Sequence, residues 1–138
     1  MSSSTIEALA GYTIENLKEV EDQAPDFGLS PDLQARFARK ALEAEVLGLS
    51  YQRFAPNLRT PFGHRHEAQE EVYVVLSGSG RIKLDDDIRE VRQWDAVRIA
   101  SETMRCFQAG PEGAELLVFG GPVVGANDAE LVPGWWSD

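Results

Sequence analysis

Apolar positions along this 138-residue chain change their period once. Over residues 30–42 they recur at helical spacing, with Leu33, Phe37 and Ala41 on one face. Ser30-Pro31 reads as a helix start. A serine can cap, and proline tolerates the first turn because its missing N–H would be unpaired there anyway. The spacing predicts a short helix, with a strand over residues 36–44 as the alternative. From residue 47 onward the period becomes two. Residues 47–54, 71–76, 81–84, 88–91, 96–99, 105–108 and 115–119 each read as a short strand. Turns are predicted at Ala55-Pro56-Asn57, Gly78-Ser79-Gly80, Asp85-Asp86-Asp87 and Gly110-Pro111-Glu112-Gly113. Ahead of the helix, residues 12–17 read as a first strand and 20–28 as loop. Residues 1–11 carry no pattern and are expected to be loosely ordered. Many short strands between regular turns predict an all-β antiparallel sandwich or barrel with a short N-terminal helical segment.

Composition sets limits on this picture. Hydrophobic residues make up 43% and charged residues 26%, as in ordinary globular domains. The length predicts one domain over residues 1–138, with its barrel at about 45–120 and a tail at 122–138. A net charge of −10 opposes nonspecific binding to nucleic acid or to an anionic membrane, where cations must meet phosphates. The start Met1-Ser2-Ser3-Ser4-Thr5 has neither the basic nor the apolar region of a signal peptide, and no membrane span is apparent. The single cysteine, Cys106, suits a reducing compartment, so a cytoplasmic protein is expected.

Both histidines lie in Gly63-His64-Arg65-His66. On a strand, residues i and i+2 share a face, with Cα atoms roughly 7 Å apart. Two imidazoles so placed can reach one ion at about 2.0–2.1 Å. Carboxylates follow at Glu67, Glu70 and Glu71, and Arg65 should face the other way. A bare His-x-His also reads as a surface pair.

The run Pro61-Phe62-Gly63-His64-Arg65-His66-Glu67-Ala68-Gln69-Glu70-Glu71-Val72-Tyr73-Val74-Val75-Leu76-Ser77-Gly78 resembles the first motif of the cupin superfamily. That motif has two histidines one residue apart, three or four residues, a glutamate, six residues and a glycine. Glu71 satisfies the count and Glu70 does not. The resemblance implies a jelly-roll barrel, with His64, His66 and Glu71 as ligands of a divalent metal (iron, zinc, nickel or manganese) inside it. It also implies a homodimer. The second motif departs from the pattern. Trp94-Asp95 replaces a Gly-Asp turn, Ala100-Ser101-Glu102 replaces a Pro-Gly turn, and Arg105 stands where a further histidine ligand belongs.

Arginine stays charged and cannot ligate a metal. Two outcomes follow. Either a metal binds through His64, His66 and Glu71 alone, with Arg105 as a catalytic cation on the pocket rim gripping an anionic group. Or Arg105 pairs with Glu71, and the site is metal-free. The first predicts a metal-dependent enzyme, an oxygenase or isomerase, acting on a small anionic organic molecule. The second predicts a non-catalytic barrel that binds or senses a small molecule, or a purely structural one. On the strand at 47–54, either Gln52 and Phe54 or Tyr51 and Arg53 face inward. Gln52, Tyr73 and Phe107 are the candidate pocket walls. Cys106 reads as a small buried hydrophobe. Trp135 and Trp136 are expected to fold back on the barrel or to form a subunit contact.

Overall fold

Two strands run much longer than alternation alone marks, and they organise the molecule. The computed structural model describes residues 11–123 and 128–138. The looseness expected at residues 1–11 falls, apart from Gly11, outside the described residues. The strands are β1 (Leu33–Phe37), β2 (Gly48–Phe54), β3 (Phe62–His66), β4 (Glu70–Leu84), β5 (Asp87–Arg92), β6 (Ala96–Ile99), β7 (Arg105–Gly121) and β8 (Ala129–Pro133). Every pairing among them is antiparallel. β4 and β7 lie against each other over almost their whole length. The first half of β4 also carries β6, and the second half carries β5. The second half of β7 carries β2 and β1, and its start carries β3 and then β8. The sheet therefore curls into two facing walls, β1-β2-β7-β4-β6 and β8-β3-β7-β4-β5, which is the expected jelly-roll barrel.

The crossing between walls occurs where two turns were expected. Gly78-Ser79-Gly80 and Gly110-Pro111-Glu112-Gly113 do not reverse the chain. They lie opposite each other as an irregularity in a continuous ladder, with Gly80 paired to Ala109 and Gly78 to Ala114. Ser79 alone thus faces four residues, a wide bulge of the sort that bends a strand from one sheet to another. Gly78 has φ 74°, and a Cβ there would lie 2.1 Å from the Gly113 carbonyl oxygen. Glycine permits both that backbone and that approach.

The N-terminal expectations need correction. Residues 33–37 are strand β1, and only Arg39–Leu42 forms a one-turn helix, α1. Leu33 and Ala35 are buried and β1 is hydrogen-bonded along β2, so the tertiary ladder overrides the helical spacing. The alternative strand at 36–44 overlaps β1 by two residues only. Residues 12–16 form no strand, and the chain turns at a 3₁₀ segment, Leu17–Glu19, capped by Asn16. The loop at 20–28 contains a second 3₁₀ turn, Ala24–Phe27. No helix among the described residues is long and apolar enough to cross a membrane.

Inward residues form the core, alternating along the strands except where the bulge in β4 and β7 shifts the register. Val75, Ile82, Ile99 and Leu116 are each 1% exposed, and Phe54 meets Phe107 edge-on at 5.0 Å between ring centres. β8 was not anticipated. It pairs with β3, and the chain beyond it folds back on the outer face of the barrel. Arg59 stacks 4.1 Å from the Trp136 ring and donates to the Trp136 carbonyl at 2.9 Å. Lys83 sits 4.5 Å above Trp135. Gly63 leaves room for that ring, since a Cβ there would lie 2.6 Å from it.

Candidate metal centre

The apolar interior stops at Tyr73 on β4, Val118 and Phe107 on β7. The next inward residues along those strands are Glu71, Gly120 and Arg105. β3 supplies His64 and His66 on the same face, held by pairing of His64 with Leu131 on one side and Arg105 on the other. Glu71 comes from the opposite wall. The three side chains converge, with one ligand atom from each lying within 4.8 Å of the others. It is the one such group of three or more among the described residues. His64 Nε2 lies 3.4 Å from Glu71 Oε1, and His66 Nε2 lies 3.3 Å from Glu71 Oε2. The imidazole planes are 89° apart.

The residues present fit a divalent ion. His66 Nε2 is buried and makes no hydrogen bond, although it sits beside a carboxylate. An orphaned buried nitrogen is costly unless something else satisfies it. Two imidazoles and a carboxylate suit zinc, iron, nickel or manganese. Burial alone would push the Glu71 carboxyl up. Contacts with His64 and His66, and their charge, outweigh burial and hold it at about 2, so it is a ready anion. Gly120 makes the space, since a Cβ there would come 3.3 Å from Glu71 Cγ and 2.8 Å from Gln69 Oε1.

Arg105 is not on a rim. It is fully buried, with 0% exposure. Its Nη1 donates to Glu71 Oε1 at 3.0 Å, and Nη2 donates to the Ala100 carbonyl at 2.7 Å. The fork expected to grip a substrate is spent on the protein, as the buried charge requires. Arg105 therefore positions Glu71 from behind.

The other candidates divide. Gln52 faces inward with Ser50 and Phe54, half-buried, and donates to Ser50 Oγ at 3.2 Å. Tyr51 and Arg53 face outward, and the Tyr51 hydroxyl donates to the Glu115 carboxylate. Tyr73 is buried one inward step from Glu71, and burial followed by the Glu71 charge pushes its hydroxyl well above the usual value. Phe107 lies in the same buried cluster as Tyr73, one inward step from Arg105, and packs edge-on against Phe54. Glu70 is exposed beside Arg98, and Arg65 points outward to Glu130 at 2.6 Å. Cys106 faces away from the site, with Sγ 3.3 Å from the Thr60 carbonyl. Two surface clefts, one by Arg81 and Gln108 and one by Arg53 and Glu115, contain none of the converging residues. The cluster opens at His64, whose side chain is 23% exposed against 10% for His66.

One neighbour of the cluster had no sequence signal. Asp128, just before β8, accepts from the backbone N–H groups of Glu67 (2.6 Å), Ala68 (3.0 Å) and Gln69 (3.0 Å). Its Oδ2 lies 3.5 Å from His66 Nδ1.

No protein-family model and no curated protein matches the chain by sequence. Its likeness to solved structures is extensive. A cupin protein from Bacteroides fragilis aligns at 21% identity over 84% of this chain and 91% of its own, with a TM-score of 0.66. An RmlC-like cupin from Shewanella frigidimarina aligns at 14% identity over 80% of this chain and 90% of its own, with a TM-score of 0.62. A single-residue variant of oxalate decarboxylase from B. subtilis aligns at 22% identity over 87% of this chain but 33% of its own, with a TM-score of 0.70.

Proposed function

The chain has the cupin fold, and on that footing we propose that it holds one divalent metal, iron, zinc, nickel or manganese, through His64, His66 and Glu71. The observation that carries this reading is the buried His66 Nε2, which has no hydrogen bond and lies 3.3 Å from Glu71 Oε2. The metal, when bound, would supply a Lewis acid with positions open to a small molecule. Arg105 holds Glu71 Oε1 and leaves Oε2 toward His66. Tyr73 and Gln52 would offer their polar ends to the ligand.

The ligand in this reading is a small organic anion, and the activity that of a metal-dependent oxygenase or isomerase. A divalent ion and Arg105 against the single charge of Glu71 leave the pocket net positive, which favours an anion. Oxalate decarboxylase, whose name describes an anionic substrate, shares the fold. The Arg105–Glu71 contact of 3.0 Å favours a second reading, a metal-free barrel that binds or senses a small molecule without catalysis.

Metal stoichiometry separates the two. Protein stripped with chelator and reloaded with each of the four ions should bind about one equivalent of at least one of them, and His66→Ala should abolish this. Binding below about a tenth of an equivalent under every condition would overturn the metal reading in favour of the second.

A further inference from the structure

Asp128, the residue just before β8, brings a carboxylate to the candidate metal centre. We propose that Asp128 is a positioning residue that fixes the proton of His66 on Nδ1 and so presents Nε2 to the metal. The inference rests on the metal reading for its purpose, but not for its geometry.

The Asp128 side chain is 4% exposed and its two oxygens are fully placed. Oδ1 accepts from the N–H groups of Glu67 and Ala68, and Oδ2 accepts from Gln69. Oδ2 also lies 3.5 Å from His66 Nδ1, which is buried and makes no hydrogen bond to any other group. Those three amides belong to the loop joining His66 to β4, so Asp128 holds that loop and the imidazole together. The His66 backbone N–H is anchored separately, to the Ser101 carbonyl at 2.8 Å. The β3–β8 ladder, with His66 paired to Ala129, fixes Asp128 in register. The folded-back Trp136, gripped by Arg59, anchors the far end of the same segment.

His66 has carboxylates near both ring nitrogens, and charge decides between them. Glu71 carries the Arg105 guanidinium at 3.0 Å, which drains its basicity. Against burial, the amides of Ala68, Gln69 and Glu67 also lower the Asp128 carboxyl, but among the described residues no arginine or lysine contacts it, so its Oδ2 faces Nδ1 without a competing cation. The proton goes to Nδ1, and Nε2 keeps its lone pair toward His64 and Glu71. A carboxylate behind a ligating imidazole fixes the tautomer in this way in metal sites generally.

The test reads the imidazole nitrogens directly. The chain has only two histidines, so ¹⁵N NMR of metal-free protein, assigned with His64→Gln, resolves both. At a pH where each ring holds one proton, wild-type His66 should carry it on Nδ1. Asp128→Asn keeps Oδ1 for Glu67 and Ala68 but places an NH₂ beside Nδ1. That group donates to Nδ1 and drives the proton to Nε2. Affinity for Zn²⁺ or Mn²⁺ should then fall by about 10–100-fold.

A wild-type His66 protonated on Nε2 overturns the proposal without any variant, should Asp128→Asn not fold. It is overturned equally if Asp128→Asn is folded, exchanges its Glu67–Gln69 amides faster and leaves the tautomer unchanged, because Asp128 is then only a loop cap. Wild-type protein that binds no metal yet holds Nδ1–H supports the Asp128 assignment and sinks the metal reading instead.

Discussion

Replacing Arg105 with methionine removes a buried charge while nearly keeping its volume. In metal-free protein this leaves Glu71, at 11% side-chain exposure, without the cation 3.0 Å from Oε1. Breaking one side of a buried pair costs about 3–5 kcal/mol. His64 and His66 remain beside the carboxylate at 3.4 and 3.3 Å and offset part of that. The net loss should be about 2–3 kcal/mol, or roughly 6–12 °C in Tm for a domain of this size. A divalent ion should then repair the damage, because it replaces one cation by another at the same carboxylate. Metal at a hundredfold excess over Kd adds about 2.7 kcal/mol to whichever form binds it, wild type included, so only the difference in affinity repairs the variant relative to wild type. The variant should also bind metal at least about tenfold more tightly, since like-charge repulsion from the guanidinium is gone. Thermal and urea unfolding, run in chelator and across a zinc or manganese titration, report both effects. The gap between variant and wild type should be widest without metal. Since wild type also gains from the ion, the gap should narrow as metal rises by the difference in affinity, about 1.4 kcal/mol for a tenfold tighter variant. A gap that stays constant, with unchanged metal affinity, would refute the idea that Arg105 and the ion share Glu71.

Acid should unfold the metal-free protein partly through Glu71. Its carboxyl is held at about 2 in the fold against an ordinary 4.5, so its stabilisation is complete above 4.5 and is lost as pH falls toward 2. Glu71→Gln should flatten that part of the stability curve, worth about 3 kcal/mol, and superimposable acid curves would count against it. Cys106 should be inert, since burial pushes its thiol up to about 11. Near pH 8 its thiolate is about a hundredfold scarcer than in an ordinary thiol, so disulfide-reagent labelling of native protein should be slower than in denaturant by at least that factor. Comparable rates in the two states would show that Cys106 is accessible. The homodimer that the family resemblance implies is testable on the outer wall, where Val72 pairs with Phe119 and Val74 with Leu117. Phe119 is 38% exposed, and Phe119→Glu should convert a dimer to a monomer by light scattering. A monomeric wild type would end that reading.

Alternation marks β2, β5 and β6 to within one residue because one face of each packs on the core or its margin. It misreads β1 for a simple reason. Leu33 and Phe37 are four residues apart, a spacing that serves a helix face and a strand face alike, and only the ladder to β2 decides between them. Glycine is ambiguous in the same way. Gly78 and Gly110 signal unusual backbone or close approach, which a turn and a bulge share. His64 and His66 are legible because two residues on a strand share a face, and Glu71 because its spacing from them matches a motif. Asp128 is invisible, since it lies 62 positions beyond His66 and only the β3–β8 pairing brings it there.

Arg105 is a subtler case, because its identity was plain and its direction was not. The side chain is long enough for either the rim or the interior. Its direction is set by Ala100 and Ser101, whose carbonyl oxygens lie 2.7 and 3.4 Å from Nη2. Those residues stand where the resemblance expects a Pro-Gly turn, and Arg105 where it expects a histidine. The two departures are therefore one structural change. The altered turn supplies acceptors for the buried guanidinium, and the guanidinium supplies Glu71 with a cation that a neutral histidine would lack. Arg105→His alone should consequently fail to restore a four-ligand site of full stability, because the Ala100 carbonyl would lose its donor while the imidazole turned toward the metal.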